Sequence, residues 1–122
     1  MTHVLVVDDE QDILDYLADK LERAGHLVDT APDGVEAILR VLQDPSLEVI
    51  LMDIRMPRLD GIDALRIIKE IAPEKPVIMF TGQAGRGDMA LSVQLGAYTC
   101  MAKPVSSEKL LEAMGTVLQA KG

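Results

Sequence analysis

Two tyrosines, one phenylalanine and no tryptophan in 122 residues leave this chain almost nothing on which to stack a nucleobase or a flat aromatic cofactor. It is also poor in positive charge. Twelve Lys and Arg face twenty Asp and Glu, a formal net charge of -8, which disfavours direct nucleic-acid binding because that binding draws on clustered cations against phosphates. A single cysteine, Cys100, excludes an internal disulfide, and no secretory segment precedes the first strand pattern, so a reducing, cytoplasmic setting is expected. No apolar run approaches the roughly 18 residues of a membrane span, and no membrane partner is expected.

What is present is a 48% hydrophobic composition, enough for one core at this length, so 1–122 reads as one domain. Apolar runs of strand length alternate with amphipathic stretches, five of each. The predicted strands are His3–Val7, Leu27–Thr30, Glu48–Asp53, Pro76–Phe80 and Tyr98–Ala102. In the first helix Ile13, Leu14, Leu17, Leu21 and Ala24 mark the inner face and Gly25 closes it. Asp33 and Glu36 make a capping-box-like start for a second helix carrying Ile38, Leu39, Val41 and Leu42.

Asp60 or Gly61 starts the third helix, with Ile62, Leu65, Ile68 and Ile71 directed inward. A fourth runs from about Asp88 to Leu95 and stops at Gly96. Ser106 or Ser107 caps the fifth, whose stripe is Leu110, Leu111, Met114, Val117 and Leu118. Strands apolar on both faces, such as Val4–Val7 and Val49–Met52, belong in a parallel sheet covered on both sides. The expected fold is therefore α/β, a doubly wound five-stranded parallel sheet, with function at the carboxyl ends of its strands.

Those ends carry Asp8, Asp9 and Glu10 after the first strand, Asp53 at the end of the third, Thr81 after the fourth and Lys103 after the fifth. Gathered carboxylates resist mutual ionisation and need positive charge nearby. A hard divalent cation, Mg²⁺ or Mn²⁺, suits such oxygens, and Lys103 adds an ammonium. This set fits phosphoryl transfer, in which positioning and charge neutralisation dominate and an aspartate can be the nucleophile.

The chain resembles the response-regulator receiver (CheY-like) family over nearly its whole length. The matching pieces are Val6-Val7-Asp8-Asp9-Glu10, Leu51-Met52-Asp53-Ile54-Arg55-Met56-Pro57 with Asp60-Gly61, Phe80-Thr81-Gly82, and Gly96-Ala97 with Ala102-Lys103-Pro104. The resemblance implies a flavodoxin-like strand order 2-1-3-4-5 and Asp53 as phosphoacceptor. It implies Asp8 or Asp9 with Asp53 around Mg²⁺, the Arg55 carbonyl as a further ligand, Lys103 and Thr81 on phosphoryl oxygens, and a cis Lys103–Pro104 bond. It also implies a two-component phosphorelay in the cytoplasm. A sensor histidine kinase or phosphotransfer protein would donate, and a downstream effector protein would respond. Such a domain catalyses its own phosphorylation and slow dephosphorylation without being a dedicated enzyme.

Each residue has a plainer reading. Asp8 and Asp9 can be helix-start carboxylates, and Asp53, Thr81 and Lys103 ordinary strand-end residues; only their combination is specific. Gly82-Gln83-Ala84-Gly85-Arg86-Gly87 lacks the ending of a P-loop and reads as a mobile connection, with Gln83 and Arg55 close enough to tune hydrolysis. His3 and His26 read as structural or solvated, and Cys100 as a small hydrophobe. Three rival classes remain. A pseudo-receiver would not need the full acidic, threonine and lysine set, a flavodoxin needs a hydroxyl-rich phosphate loop, and an aspartate phosphatase needs an Asp-x-Asp on the first strand.

One departure from the family stands out. Many receivers carry an aromatic residue three positions before the lysine, where this chain has Cys100. Switching is therefore expected to rely on Thr81 and the Gly82–Gly87 segment, or on Tyr98, predicted to share a strand face with Cys100.

Overall fold

A computed structural model describes residues 2–82 and 86–121. Five strands, β1 (His3–Val7), β2 (Leu27–Ala31), β3 (Val49–Asp53), β4 (Val77–Thr81) and β5 (Thr99–Ala102), alternate with five helices, α1 (Gln11–Arg23), α2 (Gly34–Gln43), α3 (Gly61–Ile71), α4 (Arg86–Gln94) and α5 (Ser107–Lys121). The strands form one parallel sheet in the order β2-β1-β3-β4-β5, the expected flavodoxin-like arrangement. Gln83, Ala84 and Gly85 of the glycine-rich connection lie outside the described residues.

β1, β3 and β4 are buried on both faces because each is covered by apolar packing above and below. On one face Leu5, Val7, Ile50, Met52 and Met79 pack with Ala37, Val41, Leu65 and Ile68 of α2 and α3. On the other Val4, Val6, Leu51, Ile78 and Phe80 pack with Leu14, Leu17, Leu21, Leu110, Met114 and Val117 of α1 and α5.

Helix starts follow their capping chemistry. Asp33 accepts from the Glu36 N–H at 2.9 Å, Asp60 from the Asp63 N–H at 3.0 Å, and Ser106 Oγ from the Lys109 N–H at 3.1 Å. Gly25, at φ +94°, closes α1 as expected.

Helical phase decides which of the apolar helix residues are buried. In α2 the buried positions are Gly34, Ala37 and Val41, so Leu39 and Leu42 stand about 100–200° away around the helix and are exposed. Ile71, expected inward, falls at the margin of the α3 face and is exposed, and Ala24, placed on the apolar face of the first helix, lies beyond the last turn of α1. Strand limits shift by a residue. Pro76 has no N–H for the ladder, so β4 starts at Val77 and runs through Thr81. Tyr98 precedes β5 and borders a shallow depression with Lys109, Glu112 and Thr116 of α5, whereas Cys100 packs toward the α2–α3 core, so the two have different surroundings.

At the opposite end from the strand carboxyl termini, His3 ties three segments together. Its Nε2 lies 2.7 Å from Asp29 Oδ2, and its Nδ1 lies 2.8 Å from Ser46 Oγ, which itself donates to Asp44. His3, Asp29 and Asp44 could in principle share a cation, but both ring nitrogens already have partners, which accounts for the cluster as a buttress between β1, β2 and the α2–β3 loop.

Among the described glycines the closest backbone approach is at Gly61. A Cβ there would stand 2.1 Å from the Asp53 carbonyl oxygen, and the Gly61 N–H donates to the Ile54 carbonyl at 2.7 Å. Gly61→Ala is expected to destabilise by about 3 kcal/mol or more, because a backbone contact must be displaced. Gly115 in α5 has no atom within 4 Å of such a Cβ, so Gly115→Ala should stabilise by roughly 0.5–1 kcal/mol. Urea denaturation of the two variants checks both signs.

Candidate functional site

In a parallel sheet all strands end on the same edge, and β1 and β3 are the neighbours between which the chain reverses its direction of growth. The register sets Val7 beside Met52 and Thr81 beside Ala102, so the residues that follow converge. Asp8 is fully buried, and Asp53 and Thr81 are each only 3% exposed. The sheet core delivers these polar groups to its own rim, where hydrophobic neighbours exclude most water.

Lys103 joins them. Its Nζ lies 2.9 Å from Asp8 Oδ2 and 3.1 Å from Asp53 Oδ2, with Glu10 Oε1 at 3.6 Å. The ammonium sits 5.4 Å from the centre of the Phe80 ring, whose face adds attraction. The Lys103–Pro104 bond is cis, as the resemblance implies.

Asp9 and Glu10 are exposed on the rim, and with Asp53, Arg55, Gly82 and Lys103 they line an open depression of about 360 Å³. Asp8, Asp9 and Glu10 can each present a carboxylate oxygen within 4.8 Å of the others. One ammonium thus faces two buried carboxylates and two exposed ones. An all-oxygen, charge-excess donor set of this kind fits a hard divalent cation.

The electrostatics agree with that fit. Burial, then the charge of Asp8, lift the Asp53 carboxyl above the ordinary carboxylate range, against the hydrogen bond and charge of Lys103 and a hydrogen bond from the Arg55 backbone N–H. For Lys103 burial works to lower the value, but the hydrogen bonds and charges of Asp8 and Asp53 outweigh it and hold the ammonium above its usual value. Cys100 is raised chiefly by burial, with a Ser92 hydrogen bond opposing and the charges of Asp53 and Asp88 adding.

All six residues singled out from the sequence, Asp8, Asp9, Asp53, Arg55, Thr81 and Lys103, stand at this edge, although in different ways. Asp8, Asp53 and Lys103 touch; Asp9 and Arg55 are on the rim; Thr81 is buried at the end of β4. Sequence reasoning did not assign a site role to Glu10, whose adjacency to Asp8 and Asp9 was the available signal. It had no signal for two ion pairs, Arg55 Nη2 to Asp88 Oδ2 at 2.5 Å and Arg58 Nη1 to Asp33 Oδ2 at 3.0 Å, which tie the β3–α3 loop to the starts of α4 and α2. Arg58 also holds a positive φ of 69°, so its ion pair fastens a strained point of the β3–α3 loop over the start of α2.

Fold and site together define a doubly wound α/β domain whose switch point carries an acidic, lysine-bridged cluster in place of a phosphate-binding loop. The response regulator receiver domain model matches residues 4–115, and the chain belongs to that family. The transcriptional regulatory protein CpxR homolog of Haemophilus influenzae is 33% identical over 119 residues, covering 98% of this chain and 51% of the relative, so the chain spans about half of that protein. A response regulator receiver domain protein from Clostridium thermocellum superposes with a TM-score of 0.95 at 34% identity, covering 99% of this chain and 97% of that one. The CheX-CheY-BeF3-Mg complex from Borrelia burgdorferi matches with a TM-score of 0.89 at 31% identity, over 96% of this chain and 89% of that one.

A carboxyl whose folded pKa lies above its unfolded value is one the fold prefers protonated, so the stability it contributes in acid is lost as pH rises through the folded value. Asp53 is such a group. Asp53→Asn should therefore stabilise the protein in chelator at pH 7 by on the order of 1 kcal/mol, with the gain fading as pH falls to the ordinary aspartate value of 3.8. Urea melts over a pH series in EDTA measure this; a variant less stable than wild type at neutral pH contradicts it.

Proposed function

We propose that residues 1–122 form one cytoplasmic receiver domain that takes a phosphoryl group onto Asp53 and uses it to change its interaction with an effector protein. The observation that carries this reading is the Lys103 ammonium bridging the buried Asp8 and Asp53 carboxylates beside an open depression. Such an arrangement leaves a carboxylate oxygen accessible to an incoming phosphorus while an ammonium waits for the charge.

Asp8, Asp9 and Asp53, with the Arg55 backbone carbonyl, would hold Mg²⁺ or Mn²⁺, and the bound ion would neutralise charge on the transferred oxygens. The chain's own residues do the rest. An Asp53 carboxylate oxygen attacks the phosphorus of a phosphohistidine on a sensor kinase or phosphotransfer protein; the P–N bond breaks, a P–O bond forms, and the imidazole leaves. Lys103 then exchanges its Asp53 contact for a phosphoryl oxygen, and the Thr81 hydroxyl donates to another. Attack by water on phosphorus reverses the state, releasing inorganic phosphate and restoring the carboxylate.

Phosphate can shift only an equilibrium between conformations to which it binds unequally, and the contacts of Lys103 and Thr81 supply that inequality. The relatives' own names tie them to transcription, but a net charge of -8 here supports a protein effector rather than nucleic acid or membrane. No helix among the described residues is long and apolar enough to cross a membrane.

Incubation with acetyl phosphate and Mg²⁺, followed by intact mass, should give one added phosphoryl group in the wild type and none in Asp53→Ala. Chelation by EDTA should abolish the gain, and Lys103→Ala should slow it by about 10²-fold or more, since a positioned cation contributes several kcal/mol in a water-poor site. Phosphorylation of Asp53→Ala to the wild-type extent sinks the assignment.

A further inference from the structure

Arg55 joins the phosphoacceptor loop to α4: its backbone N–H hydrogen-bonds Asp53, while its side chain reaches Asp88. It lines the same depression as Asp53, and its guanidinium is paired with Asp88 in the first turn of α4. Asp53 is buried, whereas the pair itself is solvent-facing, with Arg55 59% and Asp88 30% exposed.

We propose that Arg55 is a second cationic ligand for the phosphoryl group on Asp53, and that it reaches that group by leaving Asp88 of α4. This rests on the phosphoacceptor reading of Asp53. A solvent-exposed ion pair with a single carboxylate is weakly held. A phosphoryl group brings nearly two charges and three acceptor oxygens, and the planar guanidinium binds such oxygens two at a time. Competition therefore favours the phosphoryl group once it is formed, and α4 loses its tie to the β3–α3 loop.

The exchange gives α4 a way to sense phosphorylation without a rotating ring. At the position where an aromatic side chain would swing, Cys100 contacts the fully buried Ser92 of α4, whose Oγ also donates to the Met89 carbonyl at 2.8 Å. That contact is internal to the helix–strand interface, since Ser92 is fully buried. Arg55 instead crosses from the phosphoacceptor loop to the outer start of the same helix, 33 residues away in sequence.

The test is a double-mutant cycle on beryllofluoride binding in Mg²⁺, read by the backbone amide signals of α4 and by titration of affinity. If Asp88 and the phosphoryl mimic compete for Arg55, Asp88→Asn tightens beryllofluoride by about 3–10-fold and Arg55→Ala weakens it by a similar factor. In the Arg55→Ala background the Asp88→Asn change should then have less than about a 2-fold effect, because nothing remains to compete for. The α4 amides should move on binding in wild type and stay near their free positions in Arg55→Ala. An equal effect of Asp88→Asn in both backgrounds, which simple removal of a negative charge would give, overturns the exchange alone. Absence of beryllofluoride binding to wild type overturns the phosphoacceptor reading and the exchange with it.

Discussion

Two buried carboxylates sharing one ammonium govern this molecule. Asp8 and Asp53 come from different strands, and each would be strongly disfavoured as a lone buried charge. Lys103 meets both at hydrogen-bond distance, yet one positive charge does not balance two buried negative charges with Asp9 and Glu10 beyond them. On the proposed reading that residual imbalance makes the site responsive. A divalent cation would relieve it and a transferred phosphoryl group would reset it, so the same electrostatic excess that opposes folding would support binding and chemistry.

The fold's part is to make that imbalance reproducible. β1 and β3 are wholly buried and adjacent, so their last residues hold positions set by packing on both sheet faces rather than by the loops that follow. Phe80 extends this control to the ammonium, since its ring belongs to the α1–α5 core and also lies beneath Lys103 Nζ. Gly61 does the same for the β3–α3 loop. Because only a residue without Cβ lets α3 start against the Asp53 carbonyl, the backbone around the proposed phosphoacceptor is seated on the helix itself. A change in the core would therefore be felt at the site as a displacement of charge.

This organisation explains which features were legible in the sequence. Val4–Val7 and Val49–Met52 are apolar without alternation, a pattern that only a parallel sheet covered on both faces satisfies, and strand ends in such a sheet must share an edge. The shared edge of Asp8, Asp53, Thr81 and Lys103 followed from that, while the roles expected of them rested on the family resemblance. The exposure of Ile71 did not follow, because helical periodicity in short amphipathic segments fixes the centre of the buried face but not its width. The pairs Arg55–Asp88 and Arg58–Asp33, and the His3 network, escaped because they join segments distant in sequence through long or titratable side chains, and no local pattern encodes such meetings.

The α4–β5 boundary brings these threads together. Most of the structure transmits position by dense packing, which is bistable only where a bulky group can occupy two places. Cys100 is too small to offer that choice, and its neighbour Ser92 is fully buried. Packing at this boundary would therefore carry a signal from the proposed phosphoacceptor poorly, while charge would carry it well. The Arg55–Asp88 ion pair stands at its outer edge, beside the depression that Asp53 lines, and under the proposed exchange a phosphoryl group would alter that pair without needing any core side chain to find new space. A receiver built this way trades a steric relay for an electrostatic one, and its coupling should accordingly weaken with ionic strength in a way that a ring movement within a packed core would not.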